Sequence, residues 1–231
     1  MAYLKSYRST DSGKEMVRRM AKNRYHATDE AGVARRERLK ARKAKYLKEN
    51  REKISEWHKE HSRQLKASAI AIYGGCCSVC QESNIDLLVL DHVNDDGSSY
   101  RDKSGVRLCS KRVHQWAKKH GWPAVFQVLC HNHNAKKEAI RRSPPSESKV
   151  ALRKEMFAVY GDRCCQCGET DRDVLQLDHV NGGGTEHRRK VGNSVSWAKK
   201  HGWPSAFRVL CANCNMLNSI EIMRLPRVPT V

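Results

Sequence analysis

No apolar stretch in this chain approaches the ~18 residues of a membrane-spanning helix. Hydrophobic residues make up only 39% of the sequence and mean hydropathy is −0.74, so one large core is excluded in favour of small folded units. No apolar signal-peptide core follows Met1, which predicts an intracellular protein, not a secreted one. Acidic residues are the other shortage: 25 Asp and Glu stand against 44 Lys and Arg, a net charge of +19. Such an excess is the electrostatic footprint of a polyanion binder. DNA is the favoured partner, since no apolar helix face offers itself to an anionic membrane surface and nothing points to a small-molecule substrate.

Cysteine, by contrast, is plentiful at 10 residues. Without a secretion signal, clustering as Cys-x-x-Cys reads as zinc binding rather than as disulfides. The clusters recur because the chain contains a repeat. "CSVCQESNIDLLVLDHV" from Cys77 aligns without gaps to the segment starting at Cys164, so that Asp91-His92 matches Asp178-His179. "WAKKHGWP" then occurs identically at 116–123 and 197–204, followed by "VLCHNHN" and "VLCANCN". The first copy carries six extra residues between Arg101 and Trp116. The duplicated module occupies 67–142 and 150–223, with "RRSPPSESK" supplying a solvated linker over 143–149 and a short tail over 224–231.

Residues 1–66 differ in kind, with 20 Lys and Arg against 9 Asp and Glu. The stretch 30–62 lacks proline, is rich in helix formers and sets Glu beside Lys or Arg at helical spacing, which predicts one long exposed helix tracking phosphates.

Each copy offers two ligand pairs: Cys77, Cys80, Cys130 and His133 in the first, Cys164, Cys167, Cys211 and Cys214 in the second. Cys and His both serve tetrahedral zinc, so exchanging one for the other preserves a site. His131 is the competing ligand, but the repeat register favours His133. Modules of this size seldom stabilise themselves by burial alone, and a structural zinc supplies the missing free energy. Cys76, Cys109 and Cys165 have no counterparts at ligand positions and read as partly buried thiols.

Zinc leaves the repeated Asp-His unexplained. "LLVLDHV" and "VLQLDHV" are β-prone and break at "NDDG" and "NGGG". A strand thus delivers Asp-His to a loop mouth, while Asn134 or Asn215 follows the last zinc ligand on the first turn of a helix. Phosphodiester hydrolysis needs a base for water, for which neutral imidazole is suited. It also needs a cation at the phosphate, for which carboxylate and amide oxygens are ligands suited to Mg²⁺. His92 and His179 are the expected bases, and Asp91 with Asn134, and Asp178 with Asn215, the expected ligands of the divalent cation.

At these residues both modules, about two thirds of the chain, resemble the HNH or His-Me finger (ββα-metal) endonuclease superfamily, in particular phage-type homing endonucleases and zinc-containing recombination endonucleases. The shared pattern is Cys-x-x-Cys, a strand ending in Asp-His, then "LCxxCN". The resemblance implies an α+β chain of two tandem zinc-stabilised ββα-metal modules with an N-terminal basic helical arm. It implies a DNA endonuclease with two structural zinc ions, a catalytic divalent cation and a monomeric pseudo-dimer, at work in the cytoplasm of a bacterial or phage-infected host. The alternative is a non-catalytic zinc-dependent DNA-binding protein with degenerate nuclease modules. Three departures stand out. Val125 and Ala206 occupy the place of the family's central Asn; Asp95-Asp96 stand where the second copy has Gly182-Gly183; Tyr100 stands where it has His187. The second copy is therefore the expected active one. DNA contacts are expected from Lys118, Lys119, Lys199 and Lys200 on last helical turns, and from His187, Arg188, Arg189 and Lys190 beside the glycines.

Overall fold

The computed structural model describes residues 10–26, 29–101, 105–109 and 111–224; the predicted tail lies outside them except for Arg224. The order is α1 (Asp11–His26), α2 (Glu30–Glu49), α3 (Arg51–Ile72), a 3-10 turn (Ile85–Leu87), β1 (Leu88–His92), α4 (Lys111–Lys119), β2 (Phe126–Cys130), α5 (His131–Arg141), α6 (Glu147–Tyr160), β3 (Leu175–His179), α7 (Gly184–Val191), α8 (Ser194–Lys200), β4 (Phe207–Cys211) and α9 (Ala212–Arg224). The chain is thus mixed α/β, with two antiparallel sheets of two strands each among the described residues. None of the described helices is long and apolar enough to cross a membrane. Two compact units meet at His61 and Ser62, within α3.

In the first unit α1 packs on α2. Asp29 caps α2 by accepting from the Gly32 N–H at 2.9 Å. The single helix expected over 30–62 is divided at Asn50. Its main-chain N–H and its side-chain amide both donate to the Tyr46 carbonyl at 2.9 Å, ending α2 by the side-chain competition typical of Asn. The helix that follows runs from Arg51 to Ile72.

In the second unit the repeat is visible rung by rung. Leu88 pairs with Cys130 and His92 with Phe126; Leu175 pairs with Cys211 and His179 with Phe207. Period-two alternation sends Leu88 and Val128, or Leu175 and Val209, into cores where all four are 1% exposed or less. Each copy closes its "WAKKHGWP" turn alike. The Trp122 N–H reaches the Ala117 carbonyl and the Trp203 N–H the Ala198 carbonyl, both at 2.8 Å. Gly121 and Gly202 take φ +71°, the left-handed stop of a Schellman motif. Tyr73 and Tyr160 then donate to the Pro123 and Pro204 carbonyls at 2.8 and 2.7 Å, tying the helix that opens each module to this turn.

The two copies lie against one another through α5 and α9. The Asn132 N–H donates to Asn213 Oδ1 at 3.0 Å and the Asn213 N–H to Asn132 Oδ1 at 2.9 Å. Both N–H groups belong to first helical turns and have no partner within their own helix, so each helix caps the other. Ala135 packs against the core of the second copy, and Lys136 pairs with Asp171 at 2.7 Å. The expected linker is shorter than its composition suggests, because α6 already starts at Glu147.

Candidate functional site

Two groups of ligand atoms converge: Cys77, Cys80, Cys130 and His133, and Cys164, Cys167, Cys211 and Cys214, with the atoms of each group all within 4.8 Å of one another. Zinc–sulfur bonds near 2.3 Å in a tetrahedron put sulfurs ~3.8 Å apart and a sulfur ~3.5 Å from a nitrogen. Here Cys80 Sγ and Cys130 Sγ are 3.9 Å apart, Cys167 Sγ and Cys211 Sγ 3.7 Å, and Cys77 Sγ and His133 Nδ1 3.5 Å. The donor sets fit zinc, and His133 rather than His131 faces the cluster. Backbone groups prepare the ligands. Burial opposes the Cys164 thiolate, yet N–H groups of Cys211, Cys167 and Gln166 outweigh it and bring the thiol down to about 7. Cys130 and Cys211 accept from the N–H of His133 and Cys214 at 3.5 and 3.4 Å. Each second ligand pair is thus also a helix start, where a negative sulfur is favoured. Cys76 is half-buried, while Cys109 and Cys165 are exposed, which departs from the partial burial expected of them.

Beyond each cluster the strand ends in Asp-His. Successive strand residues face opposite sides, and the two side chains meet different elements. His179 lies under Gly184, whose position would put an added Cβ 2.7 Å from Nδ1. Its ring is 4.6 Å from Phe207, and its Nε2 is 2.9 Å from His187 Nδ1. His187 in turn sits edge-on to Trp197 at 4.5 Å. His92 repeats the arrangement under Gly97, at 2.8 Å, between Phe126 at 4.7 Å and Tyr100 at 4.6 Å. It is 8% exposed, and among the described residues its Nε2 has no hydrogen-bond partner. Burial holds both imidazoles below their ordinary value; at His92 the charges of Asp96 and Asp91 pull the other way, and at His179 His187 adds to the depression. Val125 and Ala206, standing where the central Asn was sought, act through their main chains. Their carbonyls accept from the N–H groups of Val93 and Val180 at 3.0 Å, extending each ladder one residue past the His.

The Asp side chains face the helices. Asp178 Oδ2 accepts from Arg208 Nε at 3.0 Å and from Asn218 Nδ2 at 3.2 Å. Asn215, the residue expected to join Asp178, donates instead to Gln176 at 2.8 Å. Strand and helix run as a ladder: Gln176 and Asp178 are two apart on β3, Asn215 and Asn218 three apart on α9, each pair on one face. Asn218 is therefore the helix residue that reaches the carboxylate, one turn past the expected position. Both Asn side chains turn their amide N–H groups to the strand, Asn218 to Asp178 and Asn215 to Gln176. In the first copy, Lys137 holds the place of Asn218 and Gln127 that of Arg208. Lys137 Nζ lies 2.6 Å from Asp91 Oδ2 and 2.9 Å from Asp95 Oδ1, and Gln127 Nε2 donates to Asp91 at 3.1 Å.

Asn134 and Asn215 line a cleft of about 200 Å³ between the copies, together with His131, Gln176, Met216 and Ser219. Burial, with Lys66 nearby, brings His131 down to about 4. Of the expected DNA-contacting groups, Lys118, Lys119, Lys200, Arg188 and Arg189 are exposed. Lys199 pairs with Glu155 at 2.7 Å and Lys190 with Glu186 at 2.8 Å. His187 is half-buried in the aromatic cluster rather than presented to solvent. Sequence reasoning passed over Asn132, Asn213, Asn218 and Lys137. For the first pair the signal was available, since Asn recurs at the same register of both "LCxN" segments. Comparison with protein-family models, curated proteins and solved structures found no match to this chain.

Proposed function

We propose that the protein is a DNA endonuclease of the HNH or His-Me finger kind, acting through the second copy of its repeat, with a structural zinc in each copy. The observation that carries this reading is the placement of His179. It is a half-buried imidazole, held below its ordinary pKa by burial and wedged between Phe207 and Gly184, at the end of a strand whose preceding residue is a carboxylate. A purely architectural zinc module has no need of a base held in this way.

On this reading His179 takes the proton of the attacking water. Burial depresses the imidazolium, which favours the proton-accepting form of the ring. His187, 2.9 Å away, hydrogen-bonds the same ring and shares the handling of that proton. Asp178 and Asn218, with Asn215 one rung away, would hold a divalent cation, which when bound supplies charge stabilisation at the phosphate. Arg208 fixes the Asp178 carboxylate from the neighbouring strand. Exposed Lys200, Arg188 and Arg189, with the basic N-terminal helices, hold the DNA backbone by charge. Incubation with supercoiled plasmid and Mg²⁺ tests the reading. Conversion to open circles that stops with a chelator is expected. A mobility shift with no strand cleavage points instead to a zinc-dependent DNA-binding protein.

A further inference from the structure

The two copies differ around their carboxylates in a correlated way. Lys137 Nζ is ringed by four oxygens: Asp91 Oδ2 at 2.6 Å, the His92 carbonyl at 2.6 Å, Asp95 Oδ1 at 2.9 Å and the Val93 carbonyl at 3.4 Å. Two carboxylates and two main-chain carbonyls around one positive centre are the surroundings that a hard cation selects. The ammonium is only 23% exposed as a side chain, and Asp91 21%. The second copy lacks both members added here: Asn218 replaces Lys137, and Gly182 replaces Asp95. Asp95 even adopts φ +58° where Gly182 has φ +74°, a left-handed conformation that suits glycine and is tolerated by Asp. The first copy thus accepts an unfavourable backbone position in order to aim a second carboxylate at the ammonium.

We propose that the Lys137 ammonium is a built-in substitute for the divalent cation in the first copy. It fills the seat made by Asp91, Asp95 and the carbonyls of His92 and Val93, so that this copy folds and binds without the ion. Both copies carry a positive side chain at this carboxylate, but Arg208 reaches Asp178 from the neighbouring strand and leaves neutral Asn218 on the helix side, whereas Lys137 comes from the helix and sits between two carboxylates, in the seat an ion would need. The functional consequence rests on the nuclease reading: the cation-dependent step falls to the second copy alone, and a single chain nicks one strand per binding event.

Manganese binding to the zinc-loaded full chain, followed by electron paramagnetic resonance, tests the substitution without reference to cleavage. Wild type should bind one Mn²⁺ per chain, lost in Asp178→Asn and unaffected by Asp91→Asn. Lys137→Asn, which copies the second module, should gain one further Mn²⁺, and adding Asp91→Asn should remove it. Zinc content and circular dichroism establish that each variant is folded. If Lys137→Asn does not fold, the wild-type comparison of Asp91→Asn with Asp178→Asn still decides. Loss of a Mn²⁺ from wild type on Asp91→Asn, or an unchanged count in folded Lys137→Asn, overturns the proposal. No Mn²⁺ in wild type but one in Lys137→Asn upholds the substitution while removing the cation-dependent reading of the second copy.

Discussion

At the scale of single residues, the exchange of His133 for Cys214 is chemically neutral, and its surroundings explain why. Both lie on first helical turns beside a thiolate that accepts their N–H at 3.5 and 3.4 Å. Cys214→Ser should therefore lower the zinc content from two ions to one per chain and unfold the second copy, because structural zinc contributes about 10–16 kcal/mol in small zinc domains. His133→Cys should keep both ions; loss of one, measured by metal analysis, would show that the ligand register is wrong. On the nuclease proposal His179 should set the pH dependence. Its folded value lies below the ordinary 6.5 because of burial, so the neutral, proton-accepting form persists as pH falls through 6.5. The cleavage rate should be level from about pH 8 to 6.5 and decline only below that. A decline already centred above pH 7 would contradict a buried base.

At the scale of elements, strands and zinc helices were legible because their signals are local. "LLVLDH" and "VLQLDH" are β-prone runs, and Cys-x-x-His or Cys-x-x-Cys starts a helix. The division at Asn50 was less legible, since one amide among strong helix formers decides it through a hydrogen bond to Tyr46. The rung that joins helix to strand was also hidden. Spacing put Asn215 near Asp178, but the relative slide of α9 along β3 brings Asn218 there instead, and slide depends on packing that no local pattern encodes. One close approach at this level can be tested directly. Gly184 has room for no Cβ, since His179 Nδ1 would lie 2.7 Å away. Alanine is the better helix former there, so Gly184→Ala should leave zinc binding and fold intact. The displaced ring should lower the cleavage rate by up to about 100-fold. An unchanged single-turnover rate would mean that the position of His179 does not govern catalysis.

At the scale of the whole molecule, the repeat was fully legible but the association of its copies was not. Proline and serine between the modules suggest separately folded units on a tether, yet Asn132 and Asn213 exchange caps across the junction. Each of those bonds contributes about 0.5–1.5 kcal/mol. Asn132→Ala and Asn213→Ala each remove one of these bonds and should each lower stability by about 0.5–1.5 kcal/mol in urea unfolding; no loss in either variant would mean that the exchanged caps do not hold the junction. The junction sets the second copy, where Arg208 pairs with Asp178, beside a first copy where Lys137 pairs with Asp91 and Asp95. The most direct test of the account is the single-turnover conversion of supercoiled plasmid in Mg²⁺ by wild type and by His179→Ala. Wild type should yield open circles before any linear DNA. His179→Ala should retain two zinc ions and the mobility shift but lose nearly all cleavage. Cleavage by His179→Ala at the wild-type rate, or none by wild type, would contradict it.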